Sequence, residues 1–398
     1  LSIDEIGTYE MLLYVGVSFS FFWINGLLQG LLPIYPNLEP TQQRQFFFNS
    51  YLLFCTFSLV VFGLLYFAEA PVLELLTGQP QLPYFRWYCY FLLLNLPTYL
   101  VEYIYLLRNE GPKIIGFGML AFGGQVLAVV LPVFLAGDLE LSFKCLLALA
   151  AVKHIWLWFL LLRYAKARIN SALVREYIWV ALPLMAYAFI AGFTQAFDQW
   201  LVNWFYDGDT STFAIFRNGA RELPLTVAVV AAFSATMIPL LAKDMTSGLA
   251  ELKRKTIQLS HILFPISIVL LLTSHYFFPV VFNEDFADSV PIFNIYLLMV
   301  ITRLSFPHSI IIAHKDTRYM LWVSIVENSF NVLLSIVLVQ WYGLEGIAFA
   351  TFVALLLEKL AYVWIVYRKY EIAPRVYTNV NVLLGYSLIL FLTWVWVS

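Results

Sequence analysis

Charge is scarce in this chain: Asp, Glu, Lys and Arg make up 12% of its 398 residues, about half the ~25% of an ordinary soluble domain. A water-soluble fold would leave apolar surface uncovered. The formal net charge of −2 provides no basic footprint for nucleic acid, so no nucleic-acid partner is expected. Cysteine is nearly absent. Cys55, Cys89 and Cys145 sit inside apolar runs with no paired spacing, which favours buried small hydrophobes over a zinc site or a disulfide. The first residues, Leu1-Ser-Ile-Asp-Glu, lack the basic segment that opens a signal peptide. His154, His261, His275, His308 and His314 show no metal-ligand spacing. No Gly-rich phosphate loop and no Ser/His/Asp set stands out. These absences argue against an enzyme and against any bound cofactor or metal.

What the chain has is hydrocarbon. Hydrophobic residues are 62% and aromatics 18% of the sequence, with a mean hydropathy of +0.80. A bilayer crossing takes about 20 apolar residues. Twelve such windows, A to L, are legible: 10–33, 48–68, 83–107, 113–136, 141–163, 176–205, 212–241, 256–282, 289–313, 318–341, 344–367 and 379–397. No strand alternation recurs. The fold class read from this is all-α and polytopic, with multi-pass insertion. Pro33, Pro97, Pro132, Pro183, Pro224, Pro239, Pro265 and Pro307 fall inside spans and read mainly as kinks that neighbouring helices re-satisfy.

The loops set an orientation. Arg44 lies between A and B, Arg108 and Lys113 between C and D, and Arg163, Lys166, Arg168 and Arg175 between E and F. Lys243, Lys253, Arg254 and Lys255 lie between G and H, Lys315 and Arg318 between I and J, and Arg368, Lys369 and Arg375 between K and L. The alternate loops carry acids: Glu69 and Glu74, Asp138 and Glu140, Asp207 and Asp209, then Glu284, Asp285 and Asp288. The positive-inside rule places the basic set in the cytoplasm.

The chain also resembles itself. Lys153 and Lys359 are 206 residues apart, as are Pro33 and Pro239, Gln125 and Asn331, and the segments starting at Gly137 and Gly343; Pro71 and Pro279 differ by 208. Six helices separate the copies, so both have the same orientation, as in parallel repeats. A then pairs with G, B with H, C with I, D with J and E with K. Span F has no mate, which places an expected helix upstream of Leu1. The expected organisation is an N-terminal lobe over 1–168, a C-terminal lobe over 169–370 and an extra transmembrane helix over 371–398.

Three segments carry a family resemblance. They are Phe197-Asp-Gln-Trp-Leu-Val-Asn-Trp-Phe followed by Thr212-Phe-Ala-Ile-Phe-Arg-Asn-Gly-Ala-Arg, then Ala235-Thr-Met-Ile-Pro-Leu-Leu, then Gly343-Leu-Glu-Gly-Ile-Ala-Phe-Ala-Thr. With the parallel repeat, they resemble the multidrug/oligosaccharidyl-lipid/polysaccharide (MOP) exporter superfamily. The polysaccharide-transporter branch, which flips undecaprenyl-diphosphate-linked oligosaccharides such as O-antigen units, is the most similar. The resemblance covers essentially the whole chain. It implies helices A, F and G around a central cavity.

Charges inside spans cost roughly 2.5–3.5 kcal/mol or more at the bilayer centre, so they face a cavity or a partner. Span G holds Arg217, Arg221 and Glu222, with Asp198 nearby on F. Read as one helix, Arg217 and Arg221 share a face near its external end and suit a diphosphate, because guanidinium donates as a fork. A structural network, with Asp198 and Glu222 neutralising the arginines, is the other reading. Lys153 and Lys359, at equivalent repeat positions, read as cavity cations or as snorkelling and packing residues. Arg303, Glu102 and Glu327 favour interhelical pairing. Asn25 and Gln29 lie one turn apart on A and suit either sugar hydroxyls or helix packing. Trp23, Trp200 and Trp204 suit sugar stacking or interfacial anchoring.

The function expected is a flippase for a lipid-linked (polyprenyl-diphosphate) oligosaccharide in the bacterial inner membrane, working by alternating access in polysaccharide biosynthesis. Its partners would be the substrate, membrane lipids and the polysaccharide polymerase machinery. The alternatives are a cation-coupled multidrug exporter of the same superfamily and a membrane-embedded glycosyl- or acyltransferase. The short loops leave little room for a transferase.

Overall fold

The computed structural model describes residues 2–314, 316 and 318–397. Lys315, one of the two basic residues read between I and J, lies outside the described residues. All regular secondary structure among the described residues is helical. Among them, nine helices are long and apolar enough to cross a membrane, and a pair bent by 45°, Ser289–Arg303 with Pro307–Ala313, makes a tenth.

The twelve spans read from sequence all fall on helix, but not as twelve rods. J and K form one continuous stretch, Arg318–Tyr370, interrupted at Gly343, whose φ of 56° and ψ of −135° are non-helical. A Cβ on Gly346 would lie 2.4 Å from the Leu338 carbonyl oxygen. Residues eight apart touch only if the chain folds back, so J and K are separate crossings. Gly137, 206 residues earlier, also has a positive φ, 62°, between D and E, though its ψ of 25° is left-handed helical and differs from that of Gly343. Only glycine adopts such backbone without a Cβ penalty. Spans G and I are broken, and both breaks precede a proline. G consists of Thr210–Gly219 and Pro224–Lys243, and I has Val300–Arg303 followed by Pro307–Ala313. Proline supplies no N–H to the preceding turn. In the repeat-equivalent span C, Pro97 lies within a 3₁₀ segment, Leu96–Tyr99.

The chain divides into two compact units, Leu1–Ala214 and Ile215–Ser398. The 168/169 boundary read from sequence does not coincide with this division, because span F packs along span A. In the first unit, A (Ile3–Ile34) starts from a capping box of Ser2 and Glu5. It crosses F (Ser171–Phe205) at glycine. A Cβ on Gly26 would lie 2.3 Å from Met185 Cγ and 2.7 Å from its backbone N, and Gly30 sits against Tyr177 and Ala181. Tyr177 Oη then donates to the Leu27 carbonyl at 2.7 Å. Small residues four apart allow this backbone approach. In the second unit, L (Val380–Val397) packs on H (Met245–Phe282). His261 Nδ1 and Tyr386 Oη share a hydrogen bond of 2.8 Å, and Phe264 stacks on the same tyrosine with ring centroids 5.1 Å apart.

A polar clasp closes the I–J loop onto the end of K. The Asp316 carboxylate accepts from Lys369 Nζ and from Tyr370 Oη, the latter at 2.9 Å, and His314 stacks on Tyr370 at 3.9 Å. The hydrogen bonds from Lys369 and Tyr370 hold the Asp316 carboxyl below its usual range. A depressed carboxyl contributes stability above its unfolded value of about 3.9 and loses it as pH falls through the folded value. The loop should therefore be protected from hydrogen exchange at neutral pH and lose that protection progressively as pH falls from about 3.9 through the lower folded value. Asp316→Asn should give the unprotected exchange pattern already at neutral pH. A loop equally protected at pH 3 would show that the clasp is not held by this carboxylate.

Candidate functional site

The intramembrane charges of the second unit gather at the two breaks. Glu222 lies in the break of G, between the two G helices, and Arg303 is the last helical residue before the break of I. Arg303 grips Glu222 as a fork: Nε donates to Oε2 at 2.8 Å, and Nη2 donates to Oε1. The first G helix has 10 residues, about 15 Å at 1.5 Å per residue, or half of a ~30 Å hydrocarbon core. The ion pair thus joins two helix breaks deep inside the apolar segments. The G and I helices can come this close because Gly219 faces Ser289 and Ile292. A Cβ there would lie 2.7 Å from the Ser289 carbonyl oxygen, and Ser289 Oγ donates to the Ile215 carbonyl at 2.8 Å.

Lys359 on K stands beside this pair. Its Nζ lies 3.1 Å from Glu358 Oε2 and 5.5 Å from the Tyr362 ring centroid, while Tyr362 Oη donates to Glu358 Oε1 at 3.1 Å. Arg303, Lys359, His308 and Thr302 line a cavity of about 410 Å³ together with Val227, Val230, Ala231, Ser234 and Ile238 from G. Ser234 Oγ shares hydrogen bonds with His308 Nε2 at 3.2 Å and with Ser309 Oγ at 2.8 Å. His308 Nδ1 is buried without a partner among the described residues.

The sequence reading needs correction on span G. Arg217 is helical, but Arg221 lies beyond Gly219 in the non-helical break. The two therefore do not share a helix face, because the helix ends between them. The chain turn brings them together instead, with Arg221 Nε donating to the Arg217 carbonyl at 3.2 Å. Glu222, read as a neutraliser of these arginines, is held by Arg303, 81 residues away.

In the first unit Lys153 is buried, with 5% of its surface exposed. It donates to Asn95 Oδ1 beside the 3₁₀ segment of C, so it packs inward and does not snorkel. Each of the two repeat-related lysines stands beside an irregular stretch of its own lobe, Lys153 at C and Lys359 at I. Asp198 is buried on F. Asn25 is half-buried and spends its Nδ2 on the Phe21 carbonyl of its own helix at 2.8 Å, and Gln29 is exposed. Trp23 is buried against Phe57, with ring centroids 5.2 Å apart, and is neither anchor nor sugar platform. Trp200 donates to the Leu75 carbonyl and Trp204 is exposed. Two lining residues escape a reading by spacing: His308, which lacks a metal-ligand pattern, and Ser234. The repeat holds a signal for the histidine, since an offset of 206 carries Glu102 onto His308.

No protein-family model and no curated protein sequence matches the chain. Solved structures do. The chain is similar to lipid II flippase MurJ in an inward closed conformation, with TM-score 0.71 and 15% identity over 99% of this chain and 91% of that one. It is similar to a multidrug resistance MATE family transporter of the MOP superfamily in an inward-facing conformation, with TM-score 0.64 and 12% identity over 92% and 90%. A third is the MATE multidrug transporter DinF-BH, with TM-score 0.57 and 16% identity over 93% and 88%. The chain therefore has the polytopic helical fold of MOP superfamily transporters.

Proposed function

We propose that this chain is a flippase that moves a lipid-linked, polyprenyl-diphosphate oligosaccharide across the bacterial inner membrane. On this reading it serves polysaccharide biosynthesis of the O-antigen type, beside the polymerase machinery, and works by alternating access. The observation that carries the reading is the break in span G. Two arginines lie at that break, Arg217 on the last helical turn and Arg221 just beyond it with its Nε on the Arg217 carbonyl, in a chain folded like a lipid II flippase over nearly its full length. Interrupted helices are where transporters of this kind build substrate sites. A diphosphate entering low dielectric needs fixed positive charge, and guanidiniums keep theirs at physiological pH. The prenyl tail stays in hydrocarbon while the glycan travels with the diphosphate.

Reconstitution tests this. Vesicles holding the full-length protein should translocate an undecaprenyl-diphosphate disaccharide, read as protection from a membrane-impermeant oxidant. The Arg217→Ala, Arg221→Ala double variant should slow translocation about tenfold or more, the equivalent of one or two lost charge-assisted hydrogen bonds, with folded yield near normal. Lys at both positions should restore part of the rate, since it keeps charge but not the fork. Undiminished translocation in the Ala variant would sink the assignment.

The MATE-like fold also admits a cation-coupled drug exporter. Against it, Glu222 and Glu358 beside the second-unit cavity are each engaged by a cation, so neither is a bare carboxylate awaiting a cationic drug. The similar solved structures are transporters, which gives the transferase reading no support. The basic loops imply an orientation that can be tested beside the flippase reading. Cysteines placed in 163–175 and 243–255 should resist an impermeant reagent applied outside intact cells, while those at 207 and 284 react. The reverse pattern would invert the topology.

A further inference from the structure

The second-unit cavity has a polarity that its charge count hides. Two cations and two carboxylates balance there, but the cavity is lined by Arg303 and Lys359 and not by Glu222 or Glu358. Each carboxylate is paired to a lining cation without lining the cavity itself. That arrangement lets two charges be buried at little net cost while the wall facing the cavity stays positive. The cations also have donors left over. Arg303 uses two of its five N–H groups on Glu222, and Lys359 uses one of three on Glu358. Ser234 adds a hydroxyl on the cavity wall, held by His308 Nε2 and Ser309 Oγ.

The wall formed by G is mostly aliphatic, with Val227, Val230, Ala231 and Ile238 beside the single hydroxyl of Ser234. A phosphate has no surface to offer such a wall. The volume of about 410 Å³ falls in the range of ~300–1,000 Å³ typical of small-ligand sites and exceeds what one inorganic anion fills. The fitting ligand carries a planar carboxylate for the remaining Arg303 N–H groups and Lys359, a hydroxyl for Ser234, and an apolar face for the valines. A hexuronic acid has all three: its ring presents a C–H face, and its carboxylate projects from the ring edge.

We propose that the second-unit cavity is a subsite for a carboxylated sugar, which makes glycans containing a uronic acid the preferred cargo. This rests on the flippase reading for its cargo, with Arg217 and Arg221 left to the diphosphate. The binding site itself is testable without transport.

Binding of radiolabelled methyl glucuronide to the purified full-length protein, by equilibrium dialysis, is the direct test. Methyl glucoside and inorganic phosphate are the comparison probes. Methyl glucuronide should bind about tenfold or more tightly than methyl glucoside, the effect of one charge-assisted interaction. Two charge-balanced variants, Arg303→Met with Glu222→Gln and Lys359→Met with Glu358→Gln, should each lose that preference. Ala231→Phe, which fills the cavity and touches no charge, should abolish glucuronide binding if the paired variants fold poorly. Equal binding of the two glycosides overturns the proposal. So does glucuronide binding that survives Ala231→Phe, or phosphate that binds more tightly than the glucuronide. Glucuronide binding without translocation of any lipid-linked glycan would sink the flippase reading and keep the site. Translocation with no preference for an acidic glycan and no glucuronide binding would do the reverse.

Discussion

Arg303→Met should be among the most damaging single substitutions in the second unit, destabilising the protein by about 2–3 kcal/mol, somewhat less than the ~3–5 kcal/mol of a fully buried pair because its side chains are 29% and 21% exposed. Its guanidinium is the counter-charge that grips Glu222 in the break of G, and its loss leaves a carboxylate inside an apolar span without that cation. Glu222→Gln should cost a comparable amount, because it leaves the arginine. The double variant, Arg303→Met with Glu222→Gln, should recover most of the loss, since two neutral side chains of similar volume need no counter-ion. Unfolding of the detergent-solubilised protein in denaturant, run as a double-mutant cycle, measures the coupling. Additive losses would show that the two groups do not depend on each other.

The second large effect is expected at the A–F crossing. Gly26→Leu forces a side chain into space that the backbone of F occupies. Even a Cβ would lie 2.7 Å from Met185 N and 2.8 Å from its Cα. Overpacking of this kind costs about 1–3 kcal/mol and more when backbone must move. Truncating Met185 to Ala removes the 2.3 Å contact with Cγ but not the backbone contacts, so it should not rescue the variant. Gly63, in the helix of B, is open: a Cβ placed on it would meet nothing within 4 Å. Gly63→Ala should therefore be neutral or slightly stabilising by helix propensity. Folded yield and thermal midpoint in detergent separate these outcomes. Equal tolerance at 26 and 63 would refute the close crossing.

Much of the architecture is legible in the residues because it depends on sums. Burying some twenty apolar side chains in lipid is decided within each segment, so the spans A to L can be placed without knowing their neighbours. The positive-φ glycines Gly137 and Gly343 are flagged by their shared offset, since a glycine needed for its backbone stands at the same spacing as the other matched residues. The glycine spacing in span A is equally visible, but its partner on F is not, because a small residue permits close approach without naming what approaches.

Charge pairing is the part that spacing misjudges. A separation of four joins Arg217 to Arg221 only if G is one helix, and the same assumption assigns Glu222 to them. Pro224 and Pro307 read as kinks, since a proline in a membrane helix either bends or ends it depending on what neighbours re-satisfy its freed carbonyl. Both spans in fact break, and the break carries Glu222 away from Arg217 to Arg303 on another span. The sequence alone therefore determined that this is a many-span helical membrane protein, because hydropathy and periodicity act over contiguous residues. Only the tertiary structure decided which charges meet and which of them line a cavity. A charge in hydrocarbon takes whichever partner the packing of separate helices brings within hydrogen-bonding distance.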